Sequence, residues 1–375
     1  MKTNAIFGIL LALALLINLS TYAQKSDDNG SKIQVALLLD TSNSMDGLID
    51  QAKTELWSVV NELATTTYKG NRPELEIALY EYGNDNLESA DGYVRLVSPL
   101  TTDLDAISEQ LFSLKTNGGY EYCGTVIRDA SDELKWSKSD KDLKMIFIAG
   151  NEEFTQGAVD YKTSCKNSIA EGIIINTIFC GNATEGINTM WKDGADLADG
   201  KYMNINQNQQ VSYIETPFDD QILGLNTKLN KTYIGYGSQG EAFGSRQSVQ
   251  DINAVKMSKK ASVGRAVSKS SSAYRNSNWD LVDAVEDESV DIEEIKEEQL
   301  PEEMKGMDKK ERKAYVEGKK EEREKIQKQI NALNKKREAF IAKEKKNNAE
   351  EGTLGSALIK VVREQAQDKN YIFEK

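Results

Sequence analysis

A chain of 375 residues with a formal net charge of -13 has room for roughly two domains of ordinary size and shows no overall basic character for a nucleic-acid partner. It contains no histidine. That removes the usual general base of serine and cysteine nucleophilic enzymes and the commonest transition-metal ligand, so any metal site must be built from oxygen.

In chain order, Lys2, the apolar run Ile6 to Ile17 and Thr21-Tyr22-Ala23 before Gln24 have the layout of a secretory signal cleaved after Ala23. Residues 1–23 are therefore expected to be a signal peptide, and the mature chain periplasmic or extracellular with no stable membrane span. An uncleaved anchor is the alternative, though the run is shorter than the about 20 residues a spanning helix needs.

From Ile33 the pattern alternates strand and helix. Val35 to Leu39 is aliphatic and ends in Asp40, as a central parallel strand covered on both faces should. Met45, Leu48, Ile49, Ala52, Leu56, Val59 and Leu63 then recur at helical spacing. Alternation at Leu75 to Leu79 and Tyr93 to Val97 predicts two strands near a sheet edge, and Leu104 to Leu114 a helix capped by Asp103. Helices are predicted at Val126 to Trp136, Ser164 to Glu171, Ile187 to Leu197 and Pro217 to Leu229. Strands are predicted at Met145 to Ala149, Ile173 to Phe179 and Tyr202 to Ile205. The alternation specifies an α/β fold with a doubly wound, mostly parallel sheet over residues 32–229.

Beyond residue 230 the character changes. Residues 230–300 are rich in Gly, Ser and polar residues and read as a polar irregular extension. Residues 301–346 are dominated by Lys and Glu and predict a charged long helix. Its narrow seam of Ile326, Ile330, Leu333 and Phe340 supports at most a short coiled coil, a solvated helix being the plainer reading. Leu354, Leu358, Val361 and Val362 predict an amphipathic C-terminal helix over residues 352–368.

Asp40-Thr41-Ser42-Asn43-Ser44, at the carboxyl end of the first central strand, resembles the D-x-S-x-S signature of von Willebrand factor A domains, the metal-ion-dependent adhesion site (MIDAS). The resemblance covers about Lys32 to Leu229. It implies that Ser42 and Ser44 contact a divalent cation and that Asp40 helps directly or through water. Independently of the family, two hydroxyls and a carboxylate on one tight loop suit a hard ion such as Mg²⁺, with Mn²⁺ or Ca²⁺ as alternatives. Capping of the following helix is the competing role for the same residues.

The other two loops depart from the family pattern. Where a Thr follows a Gly pair in the family, Gly118-Gly119-Tyr120-Glu121 places Glu121, which keeps an oxygen and adds charge, or is an ordinary loop carboxylate. Where the family has Thr-Asp-Gly, the chain reads Ala149-Gly150-Asn151-Glu152-Glu153, so Asn151 or Glu152 stands in for the Asp. A weaker resemblance, over Leu229 to Tyr233, Gln250 to Ala254 and Trp279 to Ala284, is to the extension of exported bacterial proteins with such a domain, and implies an ordered companion in 230–300.

An oxidising compartment predicts one disulfide and one free thiol among Cys123, Cys165 and Cys180, with Cys165 to Cys180 preferred. The function these features imply is metal-assisted binding or adhesion to a protein partner offering an acidic group. The alternative is an envelope scaffold with a degenerate metal site. A hydrolytic enzyme is the weakest reading, since Glu152 and Glu153, adjacent in one loop, give no evidence of a shared cleft.

Overall fold

The computed structural model describes residues 30–206, 208, 213–345 and 354–373; the leader expected at 1–23 lies outside them. The strands are β1 (Lys32–Asp40), β2 (Thr66–Tyr68), β3 (Glu74–Tyr82), β4 (Val94–Thr101), β5 (Leu143–Gly150), β6 (Ile174–Cys180), β7 (Tyr202–Ile205) and β8 (Tyr371–Phe373). The helices of the first half are α1 (Asp46–Leu63), α2 (Leu104–Ser113), α3 (Cys123–Glu133), α4 (Tyr161–Ala170), α5 (Ala183–Asn188) and α6 (Trp191–Asp196). Those of the second half are α7 (Asp219–Leu229), α8 (Gly240–Met257), α9 (Lys259–Ser268), α10 (Leu281–Glu286), α11 (Lys309–Lys345) and α12 (Leu354–Asp368).

Six strands form one sheet in the order β4-β3-β1-β5-β6-β7, every pair parallel except β3 with the edge strand β4. Chain direction across the sheet reverses between β1 and β5, so the loops leaving their carboxyl ends part and open a crevice there. Alternation along β1 explains the two layers. Ile33, Val35 and Leu39 pack with α1, α2 and α12, while Ala36 and Leu38 pack with α3, α4 and Trp191 of α6 on the other face. Asp103 caps α2 as its sequence predicts, its side chain accepting from Ala106 N–H at 2.9 Å.

Three features differ from the sequence reading. Residues 230–300 are not irregular but carry α8, α9 and α10, whose buried positions mix polar side chains such as Gln247, Gln250 and Arg265 with apolar ones such as Val263, Ala266, Leu281 and Val282. Arg265 pairs with Asp105 of α2 and Asp251 of α8 and stacks over Trp57 of α1, so charge as well as apolar packing joins this segment to the sheet domain. The predicted helix at 187–197 is broken at Met190, which adopts φ 72°. The seam of α11 is used inside the chain, Ile326 and Ile330 packing with Ile222 and Leu229 of α7 and with Val263 and Ala266 of α9.

The last helix completes the first core. Leu354, Leu358, Val361, Val362 and Ala366 of α12 are buried against the sheet and α1. Asn176 of β6 and Gln365 exchange amide hydrogen bonds of 3.0 and 2.7 Å. β8 pairs antiparallel with β2, Thr66 opposite Phe373. The sheet and its covering helices thus draw on both ends of the described chain, with residues 213–345 lying between β7 and α12. Among the described residues no helix is long and apolar enough to cross a membrane.

The expected disulfide is absent: Cys123, Cys165 and Cys180 are all free and buried. Cys123 and Cys165 lie in the core under α3 and α4, whereas Cys180 faces the opposite core. The sheet therefore separates the preferred pair, Cys165 and Cys180.

Candidate metal site

Asp40 ends β1 at the β1/β5 divergence and is 0 % exposed. Its Oδ1 accepts the Ser42 N–H at 2.8 Å, the turn that swings the following hydroxyls back over the strand end. The Ser42 and Ser44 hydroxyl oxygens are 3.3 Å apart. Ser42 precedes a 3-10 turn at Asn43–Met45 and makes no side-chain cap bond to it, so the capping role is not the one Ser42 plays.

Glu121, on the loop before α3, is 4 % exposed and reaches the same point. Glycine makes this approach possible. A Cβ on Gly83, whose φ is +80°, would lie 2.7 Å from Glu121 Cγ and 2.8 Å from Asp40 Oδ1. On the third loop Asn151 Nδ2 donates to Ser44 Oγ at 3.0 Å, bringing the residue that replaces the expected Asp onto the first loop. Glu152 is exposed; its backbone carbonyl accepts from Trp191 Nε1 at 2.7 Å, which fixes the loop. Gln156 ties the loops together, its Oε1 accepting from Glu121 N–H at 3.3 Å and its Nε2 lying 3.5 Å from Glu152 Oε2.

The structure brings Asp40, Ser42, Ser44, Glu121 and Asn151 to the facing ends of three adjoining loops, whereas Glu152, on the third loop, keeps an exposed carboxylate. Sequence reasoning missed the parts that hold them. Asn84, just after β3, donates to the Lys115 carbonyl at 2.9 Å and to the Thr41 carbonyl at 3.4 Å, joining the first two loops. Tyr82-Gly83-Asn84, a strand end running into Gly-Asn, was the available signal.

Burial raises the pKa of both Asp40 and Glu121, opposed at Asp40 by the Ser42 N–H and reinforced at Glu121 by the Asp40 charge; Glu152 raises both further. Two carboxylates sharing so little water are costly without a cation or a proton between them. Asp40 Oδ2, Glu121 Oε2 and Asn151 Oδ1 are buried and have no hydrogen-bond partner. Orphaned oxygens of this kind fit a hard divalent ion, which takes carboxylate, hydroxyl and amide oxygens together. Among the described residues no three His, Cys, Asp or Glu side chains converge as a metal cluster by themselves. A cation here would depend on the serines and Asn151 as well as on the carboxylates.

The sheet order, together with a D-x-S-x-S loop at its point of divergence, defines a von Willebrand factor A-like α/β fold. No protein-family model and no curated protein matches the sequence. Among solved structures the chain is similar to an aerotolerance-related membrane protein of Bacteroides fragilis, at 16% identity over 47% of this chain and 93% of that one, with a TM-score of 0.32. It is similar to the conserved hypothetical protein BatB of Bacteroides thetaiotaomicron, at 14% identity over 58% and 98% of the two chains and a TM-score of 0.36. Proximal thread matrix protein 1 of the mussel byssus, solved with a zinc-occupied MIDAS motif, gives 13% identity over 46% and 41% and a TM-score of 0.33. The fold assignment rests on this chain's own strand order and loop.

Proposed function

We propose that the chain is a binding module in which a divalent cation, Mg²⁺ or alternatively Mn²⁺ or Ca²⁺, is held by Asp40, Ser42, Ser44, Glu121 and Asn151 and captures an acidic group of a protein partner. The observation that carries the reading is the set of buried, unpartnered oxygens on Asp40, Glu121 and Asn151, one on each of the three adjoining loops. A fold tolerates orphaned buried oxygens where function uses them. The rim offers contact area beyond the ion, since Tyr120, Ile187 and Met190 are exposed apolar side chains. Export through residues 1–23 belongs to the same reading and rests on the apolar run alone. No catalytic role is assigned to Glu152 or Glu153.

The scaffold reading makes the opposite prediction about stability, and Glu121→Gln separates the two. Removing one of two crowded buried carboxylates should leave the metal-free protein at least as stable as wild type. Mn²⁺ at about 100 times its Kd should stabilise wild type by about 2.7 kcal/mol and the variant far less. A variant that melts lower without metal, and a wild type that Mn²⁺ does not stabilise, would leave Glu121 as a structural residue.

A further inference from the structure

Glu152 is the one member of the loop cluster whose carboxylate is exposed, while its backbone is fixed. The Trp191 indole holds its carbonyl at 2.7 Å, and Asn151, directly before it, bonds to Ser44. Its carboxylate lies 3.5 Å from Nε2 of Gln156, the residue whose Oε1 accepts from the Glu121 N–H. It also lies within Coulombic reach of both Asp40 and Glu121. The nearby Asp40 and Glu121 each keep a buried oxygen without a hydrogen-bond partner.

Resting on the metal reading above, we infer that Glu152 is a tethered carboxylate of the chain itself that competes with an external carboxylate for the cation, so that this residue sets how tightly an acidic partner binds. Charge makes the competition effective. Asp40 and Glu121 together already balance a divalent ion, which leaves little net attraction for a distant anion. A carboxylate tethered on the adjoining loop is present at an effective concentration of about millimolar or above. Where such a ligand fills the position nine-tenths of the time, external affinity falls about tenfold, because only the open fraction is competent. Glu153, the next residue, is engaged by Thr155 Oγ1 at 3.4 Å and has no such role.

The test uses the full chain loaded with Mn²⁺, with acetate as the probe and water-proton relaxation as the readout. Glu152→Ala should weaken Mn²⁺ binding several-fold, raise the relaxivity of the bound ion by opening a water position, and lower the half-saturating acetate about tenfold. Glu152→Gln should behave as Glu152→Ala toward acetate, and Glu153→Gln as wild type. Unchanged relaxivity and acetate response in Glu152→Ala, with Mn²⁺ still bound, would overturn this inference and leave the metal reading intact. Failure of the wild type to bind Mn²⁺ at all would remove both.

Discussion

Deleting residues 354–373 should unfold residues 32–229 rather than trim a tail. The segment places Leu354, Leu358, Val361 and Val362, each at most 5 % exposed, in the core between the sheet and α1. Losing the burial of four such side chains forfeits about 2 kcal/mol each, hence on the order of 8 kcal/mol. Asn176 then loses both bonds to Gln365 inside the core, a further penalty of about 1–3 kcal/mol for an unsatisfied buried amide. The total is comparable with the roughly 5–15 kcal/mol that holds an ordinary domain together. A graded version avoids dependence on a failed expression: Leu358→Ala should cost about 2–5 kcal/mol as a core truncation. Both are read by urea unfolding followed by far-UV and near-UV circular dichroism. A shortened chain that unfolds cooperatively at the full-length midpoint would refute the reasoning, and so would a Leu358→Ala midpoint equal to wild type.

Two further outcomes follow from buried groups. Asp251 is held down to about 2 by Lys269 and Arg265, against burial, which alone would raise it. A carboxyl whose folded value is depressed below its ordinary 3.8 adds stability that is present above pH 3.8 and lost as pH falls toward 2, here about 2 kcal/mol. Asp251→Asn should therefore flatten the loss of stability between pH 4 and 2 as well as destabilise the protein at pH 7, and an acid limb as steep as wild type would contradict this. Denatured protein should take up three equivalents of alkylating agent without reductant, since Cys123, Cys165 and Cys180 are free, and native protein should react slowly because all three are buried. One equivalent in the denatured protein would restore the disulfide.

The sheet and the first loop were legible because their signals are local. β7 falls on Tyr202–Ile205 as the alternation specifies, and Asp40-Thr41-Ser42-Asn43-Ser44 announces both a strand end and an oxygen-rich loop. What escaped is non-local or hidden by polarity. α8 buries Gln247 and Gln250 and α9 buries Arg265 among small apolar residues, so their inner faces carry a weak apolar period. The pairing of β2 with β8 joins Thr67 to Ile372 across nearly the whole described chain, which no window of sequence reports. The disulfide expectation failed on strand parity: Cys180 points to one face of the sheet, while α4 carries Cys165 on the other. At the site, sequence named the oxygen-bearing residues but not the supports, because Gly83 matters only through how closely Glu121 and Asp40 approach it.

Calorimetric titration of Mg²⁺ and Mn²⁺ into wild type and into the Ser42→Ala/Ser44→Ala double variant, with thermal melts of both, tests the central claim most directly. A hard-ion site losing two of its few protein oxygens has little left to hold the ion, whereas hydroxyls on a loop contribute little to core packing. The account predicts a measurable affinity in wild type, its loss in the double variant, and metal-free melts within about 1 kcal/mol of each other in stability. Equal cation affinity in the two proteins would contradict it.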